Sequence, residues 1–208
     1  MKNNRAKWWN EAKSFLMLHD PIMKKIILKY NKGSLESRGE PFNALCRTII
    51  GQQISVKAAA SIWNKFECGI KNIKPENIIK CEGSTLRQFG LSQKKVEYLN
   101  NLSNFIINNP LAINSWKKMD NQTVTKELCK IKGIGPWSAE MFLMFVFLRK
   151  DILPLGDLGL RRAVGTNYLN KYDPTYEEVE KVAEKWKPYR TAATWYLWRS
   201  IDPIPVEY

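Results

Sequence analysis

Gly133 and Gly135 flank a single residue, Ile134, and are followed at once by Pro136, the residue type best suited to the first position of a helix. A Gly-x-Gly turn at that place directs the backbone N–H groups of Gly133 and Gly135, with the positive end of the following helix, toward one anion. A nucleic-acid phosphate suits the rest of the chain, which carries 33 Lys and Arg against 20 Asp and Glu, a net charge of +13 and a pI near 9.6. Asp157 stands 22 residues beyond Gly135, where it could do chemistry beside a strand anchored by the turn. It also precedes an apolar-periodic helix and so reads as an N-cap; both roles fit one residue, because a helix N-terminus favours negative charge.

Other chemistries are poorly supplied. His19, the single histidine, precedes Asp20-Pro21 at a turn, which argues against a Ser-His-Asp triad or a histidine-bound metal. Cys46, Cys68, Cys81 and Cys129 match neither a zinc ribbon nor a compact disulfide framework and read as reduced thiols. The first ten residues lack the apolar stretch of a secretory signal, and no later run reaches membrane-spanning length. A soluble protein with no membrane partner is expected, cytoplasmic, at the nucleoid in a bacterium or in the nucleus of a eukaryote.

Positioning these groups falls to helices, since no pair of alternating apolar runs is joined by a hairpin turn. Phe42, Leu45, Ile49 and Ile50 form one stripe ending near Gly51; Ser55 caps the next helix, with Ala58, Ile62 and Phe66 on its face. Ser84 is expected to cap a short helix closed by Gly90, and Ser92 a longer one stopped before Pro110. Residues 120 to 130 and Pro136 to Arg149 form the helices on either side of the Gly-x-Gly turn. Asp157 opens a helix through Leu169, and two more span Tyr176 to Ile201, divided at Pro188.

Ile131 to Gly135 with its flanking helices resembles a helix-hairpin-helix, and Leu153-Pro-Leu-Gly-Asp157 resembles the segment that carries the family aspartate in the helix-hairpin-helix DNA glycosylases. Gly51-Gln-Gln-Ile-Ser55 and Gly90-Leu-Ser-Gln-Lys-Lys-Val-Glu-Tyr-Leu99 also fit, giving four blocks in the family order across residues 40 to 165. The chain is most similar to the 3-methyladenine DNA glycosylase II, or alkylation-repair, branch. That resemblance implies an all-α fold of two helical lobes with a cleft between them: a hairpin-bearing bundle at 39–153, and a second lobe from 1–38 and 154–208. No amino-terminal β domain is expected, for lack of room, and no iron–sulfur cluster, because no cysteine follows Cys129.

The implied activity is that of a monofunctional DNA glycosylase acting on double-stranded DNA as a monomer. It would flip out an alkylated base of the 3-methyladenine or 7-methylguanine type and hydrolyse its N-glycosidic bond. Asp157 would face the sugar carbon, stabilising oxocarbenium-like charge and directing water. Trp137 occupies the position where strand-cutting relatives carry a Schiff-base lysine, and indole cannot be that nucleophile. Trp198 would stack on the extruded base, with Trp195 and the Trp8-Trp9 pair in reserve, and Trp137 and Met141 would line the pocket. Gln52 and Gln53 would enter the duplex, although some relatives place an apolar wedge where Gln53 stands. Lys132, Gly133, Ile134 and Gly135 would grip phosphate. Lys94 and Lys95 either contact phosphate or form a solvated face, and Arg161 and Arg162 divide between a carboxylate and DNA in an order left open. No cofactor is required beyond a structural Na+ or K+ on the backbone carbonyls of Cys129, Ile131 and Ile134. The alternatives are a uracil or mismatch glycosylase on the same fold and a non-catalytic helix-hairpin-helix DNA-binding module.

Overall fold

The computed structural model describes residues 4–202, whose regular elements are helices apart from one isolated bridge, Arg5 with Glu36. Among the described residues the chain divides into two compact units, Arg38–Phe142 and a second made of residues 4–37 and 143–202. Among the described residues no helix is long and apolar enough to cross a membrane.

In the Arg38–Phe142 unit, local caps set most helix starts. Glu40 accepts from Asn43 N–H ahead of Pro41–Gly51, Ser55 from Ala58 ahead of Val56–Ile70, Ser92 from Lys95 ahead of Gln93–Asn108, and Asp120 from Thr123 ahead of Asn121–Cys129. Ser84 does not cap; the short helix Gly83–Gln88 begins one residue earlier, and the Ser84 hydroxyl turns to Glu82. Gln93–Asn108 is the central element, packing against Pro41–Gly51, Pro75–Lys80 and Gly83–Gln88. Phe42, Leu45, Ile49, Phe66, Leu99, Leu102, Trp116, Val124 and Leu128 fill the core.

The other unit joins Trp9–His19 and Pro21–Lys29 to Leu158–Val164, the π-turn Gly165–Leu169, Tyr176–Ala183 and Arg190–Ile201. Leu158–Val164 packs on Arg190–Ile201, which also meets Pro21–Lys29 and Trp9–His19. Asp20 holds the joint. Its Oδ1 accepts from the Ile22 and Met23 N–H groups, and its Oδ2 from the Tyr168 hydroxyl at 2.7 Å and Trp186 Nε1–H at 2.8 Å, with Lys185 Nζ at 3.2 Å.

The boundary between the units falls at Leu143 rather than at 154. The helix Pro136–Phe145 also stops short of Arg149: Leu148 takes φ +51, and Arg149 N–H bonds the Leu143 carbonyl. Carbonyls freed by that early end find donors in the amino-terminal segment, Val146 from the Ser37 hydroxyl and Leu148 from Trp8 Nε1–H at 2.8 Å. Further along, Asp151 takes both arms of Arg190, and Thr191 Oγ1 bridges the Arg149 carbonyl and the Ile152 N–H. Residues 143–152 therefore belong with the chain's two flanking segments.

Candidate functional site

The hairpin is built from the Arg38–Phe142 unit. After Asn121–Cys129 the chain turns with Ile131 N–H bonded to the Leu128 carbonyl and Ile134 N–H to the Ile131 carbonyl at 2.9 Å, while the buried Ile131 and Ile134 side chains pin the turn to the core. Gly133 has φ +104, and a Cβ there would lie 2.3 Å from Cγ of Tyr98. Both the backbone conformation and the ring beneath it exclude a side chain. Neither Gly133 nor Gly135 spends its N–H on a partner among the described residues, and Pro136–Phe145 starts directly behind them. Unspent amides at a helix start form an anion cradle.

Three neighbours brace this turn. Tyr98 lies under Gly133; Glu97 pairs with Lys132; and Gln52 Nε2–H donates to the Gly133 carbonyl at 2.9 Å and toward Ser138 Oγ at 3.4 Å. The Glu97 hydrogen bond and charge raise the Lys132 pKa. Gln52, expected with Gln53 to enter DNA, thus spends its amide on the hairpin. Gln53 is the exposed member, in the left-handed region at φ +57, and exposed Ile54 and Val56 follow it. The basic pair also divides. Lys95 Nζ donates to the Ile50 carbonyl at 2.6 Å, closing the end of Pro41–Gly51, and burial lowers its pKa; Lys94 remains exposed. Trp137 is half-buried on the second hairpin helix and Met141 is buried there.

Asp157 belongs to the other unit. It is 6% exposed and caps Leu158–Val164, its Oδ1 accepting Leu160 N–H at 2.7 Å and Trp198 Nε1–H at 2.7 Å. The two readings of this residue therefore coincide: it is an N-cap and a carboxylate held by donors from two helices. Trp198, expected to face a base, turns its N–H to Asp157, and its ring stacks on Phe145 at 6.1 Å and 11°. Sequence reasoning missed Gly159. A Cβ there would lie 3.1 Å from Asp157 Oδ1 and 3.2 Å from Trp198 Cδ1, so a side chain would push the pair apart by a few tenths of an ångström. A glycine two positions after the aspartate was the available signal.

Of the reserve aromatics Trp9 is core, while Trp8 and Trp195 are half-buried. Trp9 stacks on Tyr196 at 5.6 Å and meets Trp195 edge-on at 5.2 Å, and Trp8 is bound to the Leu148 carbonyl. His19 lies on Phe15, with Nδ1 2.8 Å from the Phe15 carbonyl oxygen, as a surface group. Among the described residues no group of three or more His, Cys, Asp and Glu side chains could hold a metal ion.

Comparison with known proteins agrees with this arrangement. Residues 46–188 match the family model described as HhH-GPD superfamily base excision DNA repair protein. The chain is 32% identical to DNA-3-methyladenine glycosylase 1 of Schizosaccharomyces pombe, over 85% of this chain and 79% of that protein. Its fold is similar to the crystal structure of a DNA-3-methyladenine glycosidase from Bacillus halodurans, with TM-score 0.83 and 32% identity over 95% of this chain and 92% of the other. It is also similar to the S. pombe 3-methyladenine DNA glycosylase in complex with abasic DNA, with TM-score 0.79 and 31% identity over 91% and 96%. A hairpin with unspent amides, a capped and doubly bonded aspartate and these likenesses converge: the chain belongs to the HhH-GPD superfamily of base excision DNA repair proteins.

Proposed function

We infer that the protein is a DNA glycosylase that binds damaged double-stranded DNA and hydrolyses the N-glycosidic bond of alkylated bases of the 3-methyladenine or 7-methylguanine type. The observation that carries this reading is the buried Asp157 carboxylate, held by Leu160 N–H and Trp198 Nε1–H in a chain whose relatives are named 3-methyladenine glycosylases. Fixed by two donors, it presents negative charge to the sugar carbon as the base departs and takes a proton from, or orients, the attacking water. A purine methylated at N3 or N7 already carries positive charge, so its departure needs no general acid.

The reading extends to a monofunctional enzyme. Trp137 stands where strand-cutting members of the family carry an amine nucleophile, and a solved relative is bound to abasic DNA, which is what base hydrolysis leaves. The amides of Gly133 and Gly135 hold phosphate while Gln53 and the exposed Ile54 face the opened duplex. Where the family's monovalent cation binds, the Cys129, Ile131 and Ile134 carbonyls would hold it. The Ile131 oxygen accepts one N–H, from Ile134, and keeps a second lone pair. That ion would be structural.

Base release from methylated duplex DNA under single-turnover conditions, with a uracil-containing duplex beside it, tests the proposal. Asp157→Asn should lose about 100-fold to 1,000-fold in rate, the loss typical for one electrostatic stabiliser, while still binding DNA. Retention of more than about a third of the wild-type rate would remove Asp157 from the chemistry. Product strands should break only after hot alkali; a covalent protein–DNA adduct trapped by borohydride would overturn the monofunctional assignment.

A further inference from the structure

The helix opened by Asp157 carries two consecutive arginines, and the structure gives them different employment. Arg161 forms an ion pair with Asp173 and lies over the Tyr176 ring, 5.4 Å from its centroid. Its charge is answered within the fold. Arg162 is exposed, and its Nη2 meets a neutral group, the Tyr172 hydroxyl, at 3.2 Å; its guanidinium lies 5.5 Å from the centroid of the same ring. No carboxylate among the described residues offsets it.

The ring beside Arg162 is 78% exposed, yet the loop that carries it is firmly built. Asn170 takes the left-handed conformation, Lys171 N–H bonds the Gly165 carbonyl at 3.1 Å, Pro174 is buried, and Thr175 and Glu178 form a reciprocal capping box. Leu158 lies one helical turn before Arg162 and is 49% exposed, and Tyr176 is 48% exposed. The result is a cationic and aromatic face held in place before any ligand arrives. Such a face suits a nucleic-acid strand, whose phosphates take the guanidinium and whose bases or sugars cover the ring. Arg162 follows Asp157 by five residues, about 7.5 Å along the helix axis, or roughly two nucleotide rises of a duplex strand.

We propose that Arg162 and Tyr172 form a second grip on the damaged DNA strand, separate from the hairpin, with Arg162 on a phosphate flanking the lesion and Tyr172 against the neighbouring base or sugar. The proposal rests on the glycosylase reading, which puts the damaged nucleotide at Asp157. It also resolves the two arginines, Arg161 serving the fold and Arg162 the substrate.

The test is binding to a duplex carrying a stable abasic-site analogue, measured across a salt series for wild type, Arg162→Ala, Arg162→Lys, Tyr172→Ala and Tyr172→Phe. Arg162→Ala should lower the steepness of log K against log salt by about 0.9, the share of one phosphate, and Arg162→Lys should restore it. Tyr172→Ala should keep the slope and weaken binding roughly fivefold or more, while Tyr172→Phe retains the contact. Single methylphosphonates within three nucleotides of the lesion locate the partner: one on the damaged strand should weaken wild type and leave Arg162→Ala unmoved. This scan reads the contact in wild type even if an alanine variant misfolds. A wild-type slope and affinity in folded Arg162→Ala, or a responsive phosphate found solely on the undamaged strand, would overturn the grip. Base release by wild type, run in parallel, separates the readings: no release with Arg162-dependent binding would fault the glycosylase assignment instead.

Discussion

A carboxylate that stabilises positive charge on a sugar works best when donors fix its direction, and Asp157 has one from its own helix and one from Trp198. The second is the more informative. Trp198→Phe keeps an aromatic ring for Phe145 to stack on and removes a single N–H; a hydrogen bond to a charged group is worth about 1.5–3 kcal/mol, so the single-turnover rate should fall about 10-fold to 100-fold. A loss under about threefold would mean that the Trp198 N–H does little to fix the carboxylate. Asp157 was legible in the sequence because an N-cap announces itself locally. The direction of the Trp198 indole was not, since residue type carries no side-chain orientation, and the close fit at Gly159 arises from a ring on a helix far along the chain. The hydrogen bonds of Gln52 and Lys95 were hidden for the same reason, because their partners, Gly133 and Ile50, are tertiary.

Helix starts followed from local chemistry at Ser55, Ser92, Asp120 and Asp157, whereas helix ends depended on donors brought from elsewhere. The apolar run to Leu148 gave no local reason for Pro136–Phe145 to stop, and Trp8 and Ser37 supplied one through space. Asp20 shows the same principle with a charge. Burial pushes its pKa up, but the bonds from Trp186, Met23 and Tyr168 and the Lys185 charge outweigh burial and hold the carboxyl below its ordinary value. A depressed folded-state pKa gives stability that is complete above the unfolded value of about 3.9 and disappears as pH falls through the lower folded one. Asp20→Asn should therefore melt at a lower temperature at neutral pH and show a flatter dependence of melting temperature on pH below about 4. Parallel melting curves for the two proteins down to about pH 2.5 would remove Asp20 from the acid response.

At the scale of the whole molecule, the net charge of +13 was the plainest signal and needed no structure to read. DNA affinity should fall steeply with salt, each neutralised phosphate adding about 0.9 to the slope of log K against log salt. A slope under about 2 for undamaged duplex would mean that the excess charge serves something other than DNA. The family and helical class were equally legible, because four short blocks carried them. The switch between units at Leu143 was not, since it depends on which residues Trp8, Arg190 and Thr191 reach.

That division sets an order of events during synthesis. Residues 38–142, with the hairpin, are contiguous and can fold as soon as they leave the ribosome, while the amino-terminal helices must wait for Leu158–Val164 and Arg190–Ile201. Translation halted before Trp198 emerges leaves the phosphate cradle formed and Asp157 without its indole donor. A stalled nascent chain of that length should hold undamaged and damaged duplex alike through the hairpin amides and release no base.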